Sequence, residues 1–492
     1  MTPRNSSSYR IALALAAISL LAFGIVLIGC SGPSGSASSY VGNQISAPYS
    51  TAVPTTLTDA PGDQVIATSL TLNSLVLTDS TGKVTTNLLP AAGITYEAAH
   101  LDATQEPFFS PALPQDTYVS VSLTYSNAQV TYIDPTSKTI NVVAATLANT
   151  SQTITFATPI TIGSTPTSLL VDYLVAKSVA ISGTTVTVTP TFNVTAIVIP
   201  PTATTGPQGM ITGYKGVVTA VDTTSTTDKD FTLTLPSGVA LKIYVNGATV
   251  YQGITNFSQL EVNALVEVDT LTVGSGTILP AGSLVATRME VDDPGTTPMK
   301  MLLGPVTAVT GSPATSFNMV VRQQVGSTAT TPPTTATVDV TVTGTTNFLL
   351  PQRYAVLATA LPFVPSFTAS TIFAGQHVGV ITSGITNNAA TATSVLLEPQ
   401  TIDGTITAVN TVGSWTVYTV TLPSTHWLAV LTGQTTVLVY TNSAVQAINT
   451  TSPAIGNTLR FNGYLFDVSG TLRLLTCVQA DPPGTPIGPG QI

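Results

Sequence analysis

The sequence predicts an all-β protein: an N-terminal β-sandwich-like domain followed by three small β-barrel (OB-like) repeats in series. Three observations carry this. Apolar and polar residues alternate with a period of two along most of the chain, the pattern of half-buried strands. Only 8% of the 492 residues are charged, against about 25% in ordinary soluble proteins. Because 43% are hydrophobic, the chain is nonetheless too apolar for disorder, and its polar surface must consist of hydroxyls more than charges. Finally, one short motif occurs three times in the second half, which marks a repeat architecture.

The stretch "LALAAISLLAFGIVLIGCSGPSGSASS" runs from Leu13 to Ser39. Arg4 and Arg10 precede it, and residues 11–28 carry no charge. The run could span a bilayer at about 1.5 Å per residue. However, Leu27-Ile28-Gly29-Cys30 fits the bacterial lipobox, and a Ser/Gly-rich segment follows where a tether is needed. Residues 1–29 are therefore read as a lipoprotein signal peptide and Cys30 as the lipidated residue. Lipid on Cys30 turns a spanning segment into an anchor. Residues 30–55 form the tether. The expected location is the bacterial cell envelope, on the periplasmic face or at the outer membrane or cell surface.

The N-terminal module is placed at 56–200. Within it, "SGTTVTVTPTFNVTAIV" (Ser182 to Val198) is a turn followed by long alternation, with Pro190 marking a bulge or edge. In the second half, "GVVTAV" begins at Gly216, "GPVTAV" at Gly304 and "GTITAV" at Gly404. Each later reaches a turn segment: "EVNALVEV" from Glu261, "FAGQHVGV" from Phe373 and "AIGNTLRF" from Ala454. Each closes on a strand: "ATRMEV" from Ala286, "ATSVLL" from Ala392 and "LTCVQA" from Leu475. Three units thus occupy 210–293, 300–398 (with insertions) and 400–481, leaving a disordered tail at 482–492. Five to six short strands per unit suit a small closed barrel without free edges. In "ALKIYV" (Ala240 to Val245), Leu241, Ile243 and Val245 share one face. Short helical turns are expected near "NFSQLEV" (Asn256 to Val262).

These motifs carry a resemblance. The three units resemble a small β-barrel family of unknown function that is repeated in bacterial envelope proteins. Its pattern is an opening G-x-[VI]-T-x-[VI], a central G-x-x-V-x-V and a closing A-T-x-[VIM]. The opening is clear in all three units. Asn263 replaces the central glycine of the first, and the closing motif is degraded in the third. The first half resembles a second uncharacterised family of lipoprotein modules, through "LTDAPGD" (Leu57 to Asp63), "TLNSLVLTDSTGK", "HLDATQEPF", "LPQDTYVSVSLTYSNAQVTYID" and "LLVDYLVAKSVAI". The resemblance implies location and architecture and brings no activity or catalytic residue with it.

Composition narrows the partners. The formal charge is −9, and without Arg4 and Arg10 the mature chain holds 12 basic and 23 acidic residues, close to −11. With no basic run to neutralise phosphates, nucleic acid is excluded as a partner. The partners expected are the membrane, through lipid on Cys30, and a glycan or other envelope polymer; the oligomeric state is left open. With Cys30 lipidated, Cys477 stands alone in an apolar strand and reads as a packed core residue.

In so charge-poor a chain, Glu97, His100, Asp102 and Glu106 form the densest ionisable cluster in the sequence. In a strand, His100, Asp102 and Glu106 could share a face while Glu97 points away. The cluster is read as a candidate polar or ligand site, a polar rim on a β-sandwich loop, with a general acid/base set as the alternative. Asp59 and Asp63 flank a Pro-Gly turn; they are weak metal candidates, better explained as turn formers. His100, His377 and His426 lie in separate units without metal-ligand spacing, so neither zinc nor any other cofactor is expected. Trp415 and "HWL" (His426 to Leu428) could form a sugar platform or simply pack in the core. No nucleophile elbow, phosphate loop or dinucleotide fingerprint is present. The expectation is a non-enzymatic lipoprotein with a binding, adhesion or spacer role. Two alternatives stand beside it: an enzyme acting on envelope polysaccharide through Glu97–Glu106, and a structural subunit assembling through strand edges.

Overall fold

The computed structural model describes residues 50–480, except 60–62, 103, 166, 200–209, 225–228, 274–278, 281, 327–336, 359, 443–445 and 448–452. The expectations placed on Cys30, the signal peptide, the tether and the tail therefore lie outside the described residues.

The chain is all-β, a sandwich followed by three barrels. Nine strands matter in the sandwich: β1 (Thr55–Asp59), β2 (Val65–Asp79), β3 (Ile94–Glu97), β4 (Glu106–Phe109), β5 (Asp116–Ile133), β6 (Ile140–Ala144), β7 (Ser151–Ile162), β8 (Thr167–Tyr173) and β9 (Phe192–Val198). One sheet runs β7-β5-β2-β3, with β6 also on β5; the other runs β9-β8-β1-β4. Alternation builds the core between them. Leu70, Leu72, Leu75 and Leu77 of β2 and Val121, Leu123 and Tyr125 of β5 pack inward with Leu169, Val171 and Tyr173 of β8 and Val194 of β9. The long alternation around Pro190 is two strands rather than one. Thr185–Val188 and Phe192–Val198 belong to different sheets, and the break falls where proline cannot donate to a ladder.

Each repeat is a five-stranded barrel. In the first, the strand order is Ala240–Tyr244, Asp230–Thr234, Met210–Asp222, Leu265–Thr272, Leu284–Asp293, closed by parallel pairing of the first and last of these. The third repeats that order and closes through Thr436–Thr441 and Leu472–Ala480. In the second, the final strand is divided. Ala389–Thr391 pairs with the third strand and Ser394–Leu397 with the fourth. These are five-stranded Greek-key barrels of OB type. Phe231, Leu233, Ile243, Val266, Val268 and Met289 fill the first, and the turn expected near Asn256 is a 3-10 helix, Phe257–Gln259.

The repeated motif has a physical reading at every position. A Cβ on Gly216 would lie 2.7 Å from Thr234 O, one on Gly404 2.7 Å from Thr421 O, and one on Gly304 would overlap Val320 O. The glycine lets the first strand bend across its neighbour. The next apolar residue enters the core, and a β-bulge follows at the threonine in all three units, between Val218 and Ala220, Val306 and Ala308, and Ile406 and Ala408. The bulged hydroxyl then donates across the ladder: Thr219 to Thr232 O at 3.3 Å, Thr307 to Asn318 O at 3.2 Å and Thr407 to Thr419 O at 3.1 Å.

The central motif is equally regular. Asn263, Gly375 and Gly456 have φ of 73°, 108° and 91°, and each donates its N–H at 2.8 Å to the apolar residue of the opening motif, Val218, Val306 or Ile406. Asparagine is the residue that best tolerates this region after glycine, so Asn263 preserves the turn. Gly304→Ala is expected to cost about 1–3 kcal/mol or more by overpacking against a backbone atom. Urea unfolding of the variant checks this, and an unchanged midpoint would contradict the close-approach account.

Candidate functional site

The ionisable cluster does not lie on one strand: Glu97 ends β3 and Glu106 begins β4. After β3 the chain turns through a 3-10 helix, Ala99–Leu101, and this decides which side chains meet. The Glu97 carboxylate accepts N–H groups from Thr68 at 2.7 Å and from Ala99 and His100 at 3.0 Å. Its Oε2 is 3.1 Å from His100 Nδ1, while Glu106 Oε2 is 3.0 Å from Nε2. Glu97 and His100, expected on opposite faces, are thus partners. Asp102 is carried the other way, to Arg460 Nη1 of the third barrel at 3.3 Å, and its carbonyl accepts from Thr401 Oγ1 at 2.7 Å.

The cluster is also enclosed: Glu97, Asp102 and Glu106 are all buried, Glu106 against the second barrel and Asp102 against the third. Gln323 of the second barrel reaches Glu106 Oε2 at 3.1 Å. Burial opposes a charge on His100, but the carboxylates of Glu106 and Glu97 outweigh it and hold the ring at about 9. His100 thus sits between two carboxylates that favour its charged form, with Gln323 Nε2 also 2.8 Å from its Nε2. Burial, with Asp403 nearby, pushes Asp102 up to about 7 against the opposing pull of Arg460.

All three histidines line one small cavity of about 30 Å³, together with Asp102, Arg322, Asp403 and Trp427. His377 is 3.0 Å from Pro399 O through Nδ1. Burial and then Arg322 push it down to about 3, so it is neutral and its Nε2, buried without a hydrogen-bond partner, is an acceptor. His426 accepts from Leu428 N through Nδ1 at 3.2 Å, which caps the helix Trp427–Thr432, and its Nε2 is 3.1 Å from Asp403 Oδ1. Arg322 donates from Nε to Ile66 O at 2.7 Å.

Sequence spacing gave no reason to join these histidines; the packing of three modules joins them. The cavity has room for about one or two waters and none for a sugar ring. Among the described residues, no three or more His, Cys, Asp or Glu side chains are arranged to hold a metal ion.

Asp63 lies close by. Its carbonyl accepts from Trp427 N at 2.7 Å and its carboxylate from Thr425 Oγ1 at 3.5 Å. Burial, reinforced by Asp403, raises its pKa. Asp59 ends β1, and its side chain lies outside the described residues, as does that of Cys477 in the last strand. Trp415 and Trp427 are core residues and form no platform: Trp415 is 1% exposed and Trp427 5%, and Trp415 Nε1 donates to Ala360 O at 3.0 Å.

A second buried charge network joins the first and second barrels, and sequence reading missed it. Lys215 Nζ lies 3.0 Å from Glu267, 2.9 Å from Asp292 and 3.3 Å from Glu398. Arg288 pairs with Glu267, with Asp269 at 2.8 Å and with Glu290 at 2.9 Å. Burial pushes Asp292 to about 6 and Glu398 to about 8 despite Lys215, and the carboxylates hold Lys215 well above its usual range in spite of burial. The signal was present as charges two apart, Glu267 with Asp269 and Arg288 with Glu290 and Asp292, which alternation sends to one face.

An open feature lies on the sandwich. β7 and β9 are the outer strands of their sheets. At one end Gln152 bridges them, accepting from Phe192 N at 2.9 Å and donating to Phe192 O at 3.5 Å. Beyond that bridge they border a groove of about 660 Å³ lined by residues 154–161 and 193–196, with Thr167 and Val198, none of them charged. Consecutive residues line it on both sides, so its walls are strand edges; a sheet face would contribute alternate residues.

No family model and no curated protein matches the chain. Among solved structures, drosophila Unr CSD456 is similar over 54% of this chain and 95% of its own, at 12% identity and a TM-score of 0.13.

Proposed function

We propose that this is a lipid-anchored protein of the bacterial cell envelope with a binding role and no catalytic one, held at the membrane through Cys30. The observation that carries the reading is where the ionisable side chains lie. Glu97, His100 and Glu106, the set nearest in composition to an acid/base pair with histidine, are engaged with one another in a closed joint between modules. The open groove lies elsewhere and contains no titratable group.

Buried polar contacts join the sandwich to the second and third barrels, and the first barrel to the second. A block built this way suits presentation of one surface at a fixed orientation, and a neutral envelope polymer suits an uncharged groove. Detergent-phase partitioning tests the anchor. The full-length protein should enter the detergent phase, and Cys30→Ser should leave a form that remains aqueous or keeps its signal peptide. Unchanged size and partition in Cys30→Ser would refute the lipoprotein reading.

A further inference from the structure

We infer that the groove between β7 and β9 takes an extended, uncharged peptide segment, which adds to the sandwich as a strand. Both walls are the free edges of outer strands, and such edges present unpaired backbone N–H and C=O groups. Gln152 already shows what that slot accepts. Its carboxamide serves both the N–H and the carbonyl of Phe192, as a neighbouring peptide unit would. Past Gln152 nothing in the described chain takes over that role.

The occupant is a free segment and not a strand of another sheet, because a slot walled on both sides leaves no room for a third neighbour. It is uncharged because the lining carries no charge to pair with one, and burying an unpaired charge is costly. Ala157, Pro159, Ala196 and Val198 offer apolar surface to side chains of the segment, and threonine hydroxyls offer hydrogen bonds. This is strand addition, in which backbone pairing supplies affinity and side-chain pockets supply specificity.

The inference rests on the binding role proposed above, and the test separates the two. The probe is an acetylated, amidated peptide of alternating threonine and valine, titrated into the full-length protein in detergent, with cellohexaose as a second probe. Ala157→Lys places a charge on the wall. Residues 156–159 lie in the register shift between Thr155 and Ile160, outside the ladder with β5, so this change removes no strand pair. Val142→Lys, on β6 at a residue 50% exposed, is the control.

The expected result is peptide binding that weakens tenfold or more in Ala157→Lys and changes less than twofold in Val142→Lys. No peptide binding at millimolar concentration, or binding indifferent to Ala157→Lys, overturns the inference. Cellohexaose binding sensitive to Ala157→Lys, without peptide binding, overturns the peptide assignment and leaves the binding role standing. Failure of both probes overturns the inference and removes the groove from the proposed function.

Discussion

Lys215→Met is expected to destabilise the protein by about 3–5 kcal/mol, the usual cost of removing one partner from a buried ionic cluster. The ammonium is 7% exposed and faces Glu267, Asp292 and Glu398; without it, the three buried carboxylates lose the cation they share, and Glu267 keeps the pull of Arg288 and Arg353. The effect has a pH signature. Asp292 at about 6 and Glu398 at about 8 both hold their protons more tightly in the fold than in the open chain, where their values are 3.8 and 4.5. Each raised acid therefore contributes stability at low pH that is lost as pH climbs through those values. Lys215, raised above 10.5, contributes fully at all pH values below that. Its removal is thus felt least where the carboxylates can take protons instead. Urea midpoints at pH 5 and pH 8.5 measure this: a drop of about 1–2 M is expected at pH 8.5, and a distinctly smaller one at pH 5. Equal drops at both pH values would mean that the cluster is not electrostatically coupled.

Arg460→Met should be comparably costly, about 3–5 kcal/mol. Arg460 is fully buried in the third barrel, 3.3 Å from Asp102 of the sandwich. Methionine keeps the apolar stem and removes the charge, which leaves Asp102 buried beside Asp403 without its cation. Asp102 at about 7 already lies above its usual 3.8 because of burial; its contribution is present at low pH and is lost as pH rises from about 4 through 7, so the variant should be weakest above pH 7. The double variant Arg460→Met, Asp102→Leu removes the stranded carboxylate and should regain most of the loss. Neighbouring residues of this kind couple by about 0.5–3 kcal/mol. Purely additive losses would show that the two modules are held together by something other than this pair.

Most of the architecture was legible because it depends on local rules. Alternation of period two specifies strands whatever surrounds them, and the opening motif encodes its own geometry: a glycine where the first strand meets a neighbouring carbonyl, an apolar core residue, then a threonine that satisfies a carbonyl at a bulge. Even the exception at Asn263 obeys the same backbone requirement as Gly375 and Gly456. The candidate site was less legible. Three residues of turn, Ala99–Leu101, were enough to reverse the facing of Glu97 and His100 and to send Asp102 to a different module. A period-two argument fails wherever a strand stops.

What the sequence alone determined, then, is everything that repeats: the strand class, the three barrels, the chemistry of their opening motif and the near absence of charge. Tertiary structure decided where the few charges went. His100, His377 and His426 share a cavity although 277 and 49 positions separate them in turn, and Lys215 finds Glu398 in the next barrel. No window of sequence contains such pairs. They form because a charged group buried between modules is tolerated only beside a partner, and packing alone brings those partners within reach.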